Sequence, residues 1–228
     1  MSNSSKRYEA AKKLITPGKL YDPAEAVGLI KSQPATKFDA SVEVHLRLGI
    51  DVKQANQQVR GFVVLPNGVG KQKRIAVFCG DDKAKEAKAA GAAIVGGEDL
   101  IKEIQTTGKC DFDVAIASPD MMKLMAPIAK ILGQKGLMPN PKTETITPEV
   151  GKAVENLNKG KISFKADDTG NVHQMIGKVS FEAGKLLENF TAFVEAVKRA
   201  KPASSKGTYI ISLTLTTSMG PGIRVKTI

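Results

Sequence analysis

The stretch Arg74-Ile75-Ala76-Val77-Phe78-Cys79-Gly80-Asp81-Asp82-Lys83 decides the fold, because a short apolar run gives way at one glycine to charged, helix-forming sequence. Residues 74–79 read as an apolar strand, and residues 82–90 as an alanine-rich helix closed by Gly91. The alternation repeats, with a strand at 92–95, a helix at 98–107, a strand at 113–117 and a helix at 119–132. Strands alternating with helices imply parallel βαβ units with helices on both sheet faces. The loop Gly133-Gln134-Lys135-Gly136-Leu137-Met138-Pro139-Asn140-Pro141-Lys142 then precedes a last helix, with Thr147 as cap and Pro148 at its start, ending near Gly160.

The flanks read differently. Upstream lie a basic helix at 5–15 and a second helix with Asp22 as N-cap, Pro23 at the first position and Glu25 completing a capping box. In residues 42–48 apolar positions alternate with Glu43, His45 and Arg47, the pattern of a half-buried strand. A strand at 59–65 runs into Pro66-Asn67-Gly68-Val69-Gly70, which is turn and hinge chemistry. Downstream of Gly160, strands at 161–166 and 171–178 flank Asp167-Asp168-Thr169-Gly170, a hairpin signal. An amphipathic helix at 181–200 stops before Pro202. Residues 207–218 then alternate, with Tyr209, Ile211, Leu213 and Leu215 on one face and Ser212, Thr214, Thr216 and Ser218 on the other.

Neither flank has enough elements to close a sheet, but together they supply about five strands and three helices. The expected fold is therefore α/β and α+β in two domains. Residues 1–67 plus 160–228 form a split α+β sheet domain, and residues 68–159 an inserted three-layer Rossmann-like βαβ domain. Hinges are expected near 66–70 and 159–161, at Pro66, Gly68, Gly70 and Gly160.

Charge follows the same division. The 228 residues carry a formal net charge of +11. Residues 68–159 hold 14 Lys/Arg against 12 Asp/Glu, whereas the two flanks hold 20 against 11. Basicity confined to one domain favours a polyanionic partner over uniform solubilisation. No apolar run approaches the roughly 20 residues of a membrane span, and residues 1–8 lack a signal-peptide core, so the expected compartment is the cytosol. Cys79 and Cys110 are isolated, which argues against zinc and for a reducing environment.

Enzyme signatures fail on inspection. Asn67-Gly68-Val69-Gly70-Lys71 is not a phosphate loop, because Leu65 stands where the first glycine belongs and Gln72 replaces the Ser/Thr. Gly80-Asp81-Asp82 offers one glycine and two acids where a pyrophosphate would sit. Of the two histidines, His45 falls on a polar strand face and His173 just after a turn, and neither has a triad or metal spacing around it. No catalytic residue, metal or cofactor is expected. The alternative is an α/β enzyme that binds a nucleotide in the middle domain.

Aromatic residues make up 5% of the chain, too few for a single-strand stacking platform. The Ser/Thr face of residues 207–218 can pair with ribose hydroxyls and phosphates without reading bases, although an ordinary solvated strand fits the residues equally well. Phe38, taken alone, is more often a core residue.

The motifs Thr217-Ser218-Met219-Gly220, Gly133 to Lys142, Lys37-Phe38-Asp39, Val59-Arg60-Gly61 and Gly170-Asn171-Val172-His173 resemble the family of bacterial large-subunit ribosomal proteins numbered one, in order and spacing along almost the whole chain. That resemblance implies a cytoplasmic, ribosome-associated protein, monomeric when free. Its split domain binds a folded region of large-subunit rRNA, and its partners include exit-site tRNA and its own operon mRNA. It implies an RNA surface of Lys37, Phe38, Ser41, Glu43, Ser212, Thr216, Ser218, Met219 and Gly220, with His173 close by. Lys37 would contact phosphate, Phe38 would press its ring on the RNA, the hydroxyls would bond to it, and Met219-Gly220 would allow close approach. The sequence departs from the family pattern at three places. Ser218 stands for a threonine, Gly133-Gln134-Lys135-Gly136 for Gly-Pro-Arg-Gly, and Lys165-Ala166-Asp167-Asp168 for a more basic stretch.

Overall fold

The computed structural model describes residues 5–34, 36–70, 73–141 and 144–227. The residues before Ser5, Lys71 and Gln72 of the failed phosphate loop, and Lys142 of the Gly133 motif lie outside the described residues. The first segment contains α1 (Lys6–Lys13), α2 (Pro23–Ser32), β1 (Ser41–Leu48) and β2 (Arg60–Val64). The middle contains β3 (Ile75–Phe78), α3 (Asp81–Ala89), β4 (Ile94–Gly96), α4 (Glu98–Thr107) and β5 (Val114–Ala117), then α5 (Met121–Leu124), α6 (Ala129–Gln134) and α7 (Val150–Asn158). The last segment contains β6 (Lys161–Lys165), β7 (Asn171–Lys178), α8 (Ala183–Arg199), β8 (Ile210–Thr217) and β9 (Ile223–Val225). This mixed α/β chain divides into two compact units, Met1–Gly70 with Ile162–Ile228, and Lys71–Lys161.

In the first unit an antiparallel sheet runs β7-β1-β8-β9. Its central strand comes from the first segment and both neighbours of that strand from the last, so neither segment makes the sheet alone. Val42, Val44, Leu46 and Leu48 of β1 are buried together with Leu213 and Leu215 of β8 and Val172 and Ile176 of β7. Helix α8 adds Leu186, Phe190, Phe193, Val194 and Val197 to the same core, and α2 adds Ala26, Val27 and Ile30. Each large side chain contributes about 2 kcal/mol on burial, so packing rather than helix propensity holds these helices. Strands β2 and β6 form a separate pair, attached through Phe164, whose ring meets Phe193 edge to face at 5.7 Å.

The second unit has a parallel sheet in the order β4-β3-β5. All four residues of β3 are buried, as expected of a strand covered on both faces. Ala76 and Phe78 face a cluster with Ile101, Ile104, Met125 and Leu132, whereas Ile75 and Val77 face Ala87, Val150 and Val154. The unit is thus a three-layer α/β arrangement. Lys135 Nζ donates to the Gly108 carbonyl at 2.8 Å at the end of α4, so the lysine at this departure from the family pattern is engaged.

Several local expectations are corrected. The helix expected at 119–132 breaks into α5, a 3-10 turn at Ala126–Ile128 and α6, because Pro127 lacks the amide that a continuous helix needs. The last middle helix begins at Val150, while the Thr147 hydroxyl accepts from Glu149 N. Asp22 sits at the N-cap without a side-chain cap bond. Its carboxylate pairs with Lys226 at 3.0 Å and that of Glu25 with Lys19 at 3.8 Å, so no capping box forms. Strands β6 and β7 are joined by the expected turn but enter different sheets, so they are not a hairpin. Finally, Arg47 pairs with Ser212 and Leu48 with Ile210, which leaves Ile211 as an extra, bulged residue. Ile211 is 53% exposed and Ile210 takes its expected place in the core.

Candidate nucleic-acid interface

The alternation that buries Val42, Val44 and Leu46 turns Glu43, His45 and Arg47 to the opposite, open side of the sheet. Antiparallel register sets each of them in a row. Glu43 lies between Met175 and Thr216, His45 between His173 and Thr214, and Arg47 between Asn171 and Ser212. Arg224 of β9 extends the middle row beyond Thr214. At about 3.3 Å per residue, the Glu43–Thr216 and Arg47–Ser212 rows stand about 13 Å apart. This is a polar surface with Arg47 and Arg224 upon it.

The middle row is the most tightly coupled. His45 Nδ1 and His173 Nδ1 are 2.7 Å apart, so one ring donates the proton that the other accepts. Glu43 lies 3.8 Å from the outer nitrogen of His45, and Asp167 lies 3.5 Å from that of His173. Burial, followed by the facing His173, holds His45 below the ordinary imidazole range, and Glu43 partly offsets this. Asp167 is held well below the usual carboxylate range. It accepts from the Asn171 amide at 2.7 Å, with Thr169 N and Oγ1 at 2.9 and 2.8 Å. The turn thus holds the Asp167 carboxylate beside the outer nitrogen of His173.

One end of the sheet is built by side chains replacing the ladder. Ser41 N donates to Ser218 Oγ at 3.1 Å, and Ser218 N to the Ser41 carbonyl at 3.0 Å. Lys178 Nζ donates to Ser41 Oγ and to the Asp39 carbonyl, each at 3.2 Å. The turn itself closes through Gly220 N to Thr217 O at 3.0 Å, with the Thr216 hydroxyl directed at the Thr217 and Gly220 carbonyls. Arg7 Nη2 of α1 donates to the Met219 carbonyl at 2.8 Å. Met219 is left 54% exposed, as is Phe38 three residues before Ser41. Phe38 is therefore not a core residue.

The structure thus gathers Ser41, Glu43, Thr216, Ser218, Met219 and Gly220 at one end of the sheet, with exposed Lys37 and Phe38 on the segment leading into it. His173 stands mid-face, and Ser212 at the far row. Gly220 has a packing role within the protein. A Cβ there would lie 2.2 Å from Thr217 Oγ1 and 2.4 Å from Gln33 Oε1, so the missing side chain makes room for the protein itself. Sequence reasoning missed His45, Arg47 and Thr214 as site residues although the alternation had already placed them on this face. The places of Lys178, Arg224 and Arg7 beside this face depend on register and long-range contacts that the sequence does not carry.

Of the hinge candidates, Pro66 and Gly68 belong to a segment tied to α8. The buried Asn189 accepts from Asn67 N at 3.1 Å and donates to the Gly68 carbonyl at 2.9 Å. Gly70 and Gly160, at φ 72° and 103°, hold conformations that favour glycine.

The model of the ribosomal protein L1p/L10e family matches residues 29–221. The chain is 54% identical over 225 residues to the large ribosomal subunit protein uL1 of Streptococcus pneumoniae strain R6. It is equally similar to the uL1 protein of Streptococcus sanguinis strain SK36, with 99% of this chain and 98% of the relative covered in each case.

Proposed function

The chain belongs to the ribosomal protein L1p/L10e family, and from that premise we propose that it binds a folded region of large-subunit rRNA through the open face and Ser41–Ser218 end of its four-stranded sheet. It is a large-subunit ribosomal protein and not an enzyme. The observation that carries the RNA reading is the row arrangement itself: hydroxyls, imidazoles and guanidiniums in register on one uncovered face, ending in exposed Met219 and Phe38. Hydroxyls suit ribose 2′-hydroxyls, cations suit phosphates, and the Glu43 carboxylate accepts from a 2′-hydroxyl or a base amine.

In this reading the RNA-bound unit forms the base of a mobile stalk, and the Lys71–Lys161 unit turns about Gly70 and Gly160 to assist release of deacylated tRNA from the exit site. The same surface binds a similar structure in the protein's own operon mRNA and represses its translation. These roles follow the family resemblance.

Transcripts tiling the large-subunit rRNA test the central claim. One tile is expected to bind tightly, with log affinity falling against log salt by about 0.7–0.9 per phosphate contact. Equal affinity for random duplex DNA, or binding indifferent to salt, overturns it.

A further inference from the structure

Helix α1 carries Lys6, Arg7, Lys12 and Lys13 against Glu9 alone, yet it is not a loose basic tail. Ala11 is buried at 1% exposure and Ile15 packs on the core. Thr16 N donates to the Tyr21 hydroxyl at 2.8 Å. Tyr21 is bonded on both sides to β9, from its own amide to the Arg224 carbonyl and from Lys226 N to its carbonyl, each at 2.9 Å. The helix is therefore fixed against the sheet, and it delivers the Arg7 guanidinium to the Met219 carbonyl, 212 positions away in sequence.

Two neighbouring carbonyls of the turn are met from within it. Thr217 O takes Gly220 N, and Gly220 O takes the Thr216 hydroxyl. Met219 O is the carbonyl served from α1, and its residue is the exposed tip. A guanidinium has five N–H donors in a rigid fork. One is spent on Met219, and a planar cation with its remaining donors is left beside the tip where the RNA is proposed to sit.

We propose that Arg7 is part of the RNA-binding surface, holding the Met219 peptide with one edge of its guanidinium and giving the other edge to a phosphodiester of the RNA. This rests on the rRNA-binding reading above. Arg7 thus joins the two ends of the chain functionally, since the first helix completes a site formed by the last strand. The lysines of α1 add positive potential to the same contact.

The test compares Arg7→Gln and Arg7→Lys with wild type in the full chain, on the rRNA tile that wild type binds, across a salt series, with thermal melts alongside. Arg7→Gln keeps a donor for Met219 but no charge. It is expected to lower the salt slope by about 0.7–0.9 and the affinity about tenfold at low salt. Arg7→Lys is expected to keep the slope while recovering only part of the affinity, because an ammonium cannot bridge carbonyl and phosphate as a fork does. If Arg7→Gln lowers the melting temperature but leaves slope and affinity unchanged, Arg7 is a tether for α1 and the proposal is overturned. Loss of slope in Arg7→Lys as large as in Arg7→Gln overturns the phosphate contact as well. If wild type binds no tile in a salt-dependent way, the RNA-binding reading falls and takes this inference with it.

Discussion

His45 and His173 meet across β1 and β7 with their Nδ1 atoms 2.7 Å apart, at the middle of the open sheet face. Glu43, Arg47, Thr214, Asp167 and, beyond Thr214, Arg224 surround the pair. The contact accommodates one shared proton easily and two cationic rings poorly.

That asymmetry gives a pH dependence. The folded state holds His45 below its ordinary value, so the unfolded chain takes up a proton first, near pH 6.5. Stability is intact above that pH and falls as the pH drops through about 6.5 toward the lower folded value. Thermal melts between pH 8 and 5 should show a decline that is smaller in His45→Gln. Equal declines in the two proteins would rule this out.

Asp167 acts in a lower window. Its depressed carboxyl contributes stability above the unfolded carboxylate range, near pH 3.8, and that contribution is lost as the pH falls further. Asp167→Asn keeps one acceptor and forgoes the charge, costing about 1 kcal/mol at neutral pH for a partly exposed group. Chemical unfolding at pH 7 and at pH 3 should find the gap between mutant and wild type closing at the lower pH.

Met219 and Gly220 should separate binding from folding. Met219→Ala removes an exposed side chain and should leave the melting temperature nearly unchanged while weakening RNA binding. Gly220→Ala forces Thr217 and Gln33 apart and should cost about 1–3 kcal/mol. Bulky residues are thus expected to spare thermal stability at Met219 but not at Gly220. An unaltered melt for Gly220→Ala would refute the packing account.

Asn189 is fully buried on α8, with bonds to Asn67 N, the Gly68 carbonyl and the Ile176 carbonyl. Asn189→Leu removes the partners of three backbone groups and should cost about 2 kcal/mol or more. Hydrogen exchange should accelerate at Asn67 before it does in β1. Uniform protection in the mutant would contradict the anchoring role.

Local pattern was enough to read most elements. The β3–α3–β4–α4–β5 alternation marked the inserted unit, because strands buried on both faces write their burial into a continuous apolar run. The alternation in β1 likewise named the open face. Errors arose where a distant partner decided. Asp22 takes the expected N-cap position, but its carboxylate pairs with Lys226 instead of closing a capping box, and Ile211 looked apolar-facing until pairing with β1 inserted a bulge.

By itself the sequence determined the class of each segment, the basic flanks and the face on which Glu43, His45 and Arg47 lie, since periodicity and charge are properties of neighbouring residues. The tertiary structure alone decided that Arg7 reaches Met219, that Ser41 locks to Ser218 and that His45 meets His173. Each of those contacts joins residues more than a hundred positions apart. Their distances depend on strand register and helix docking, and no local preference encodes either.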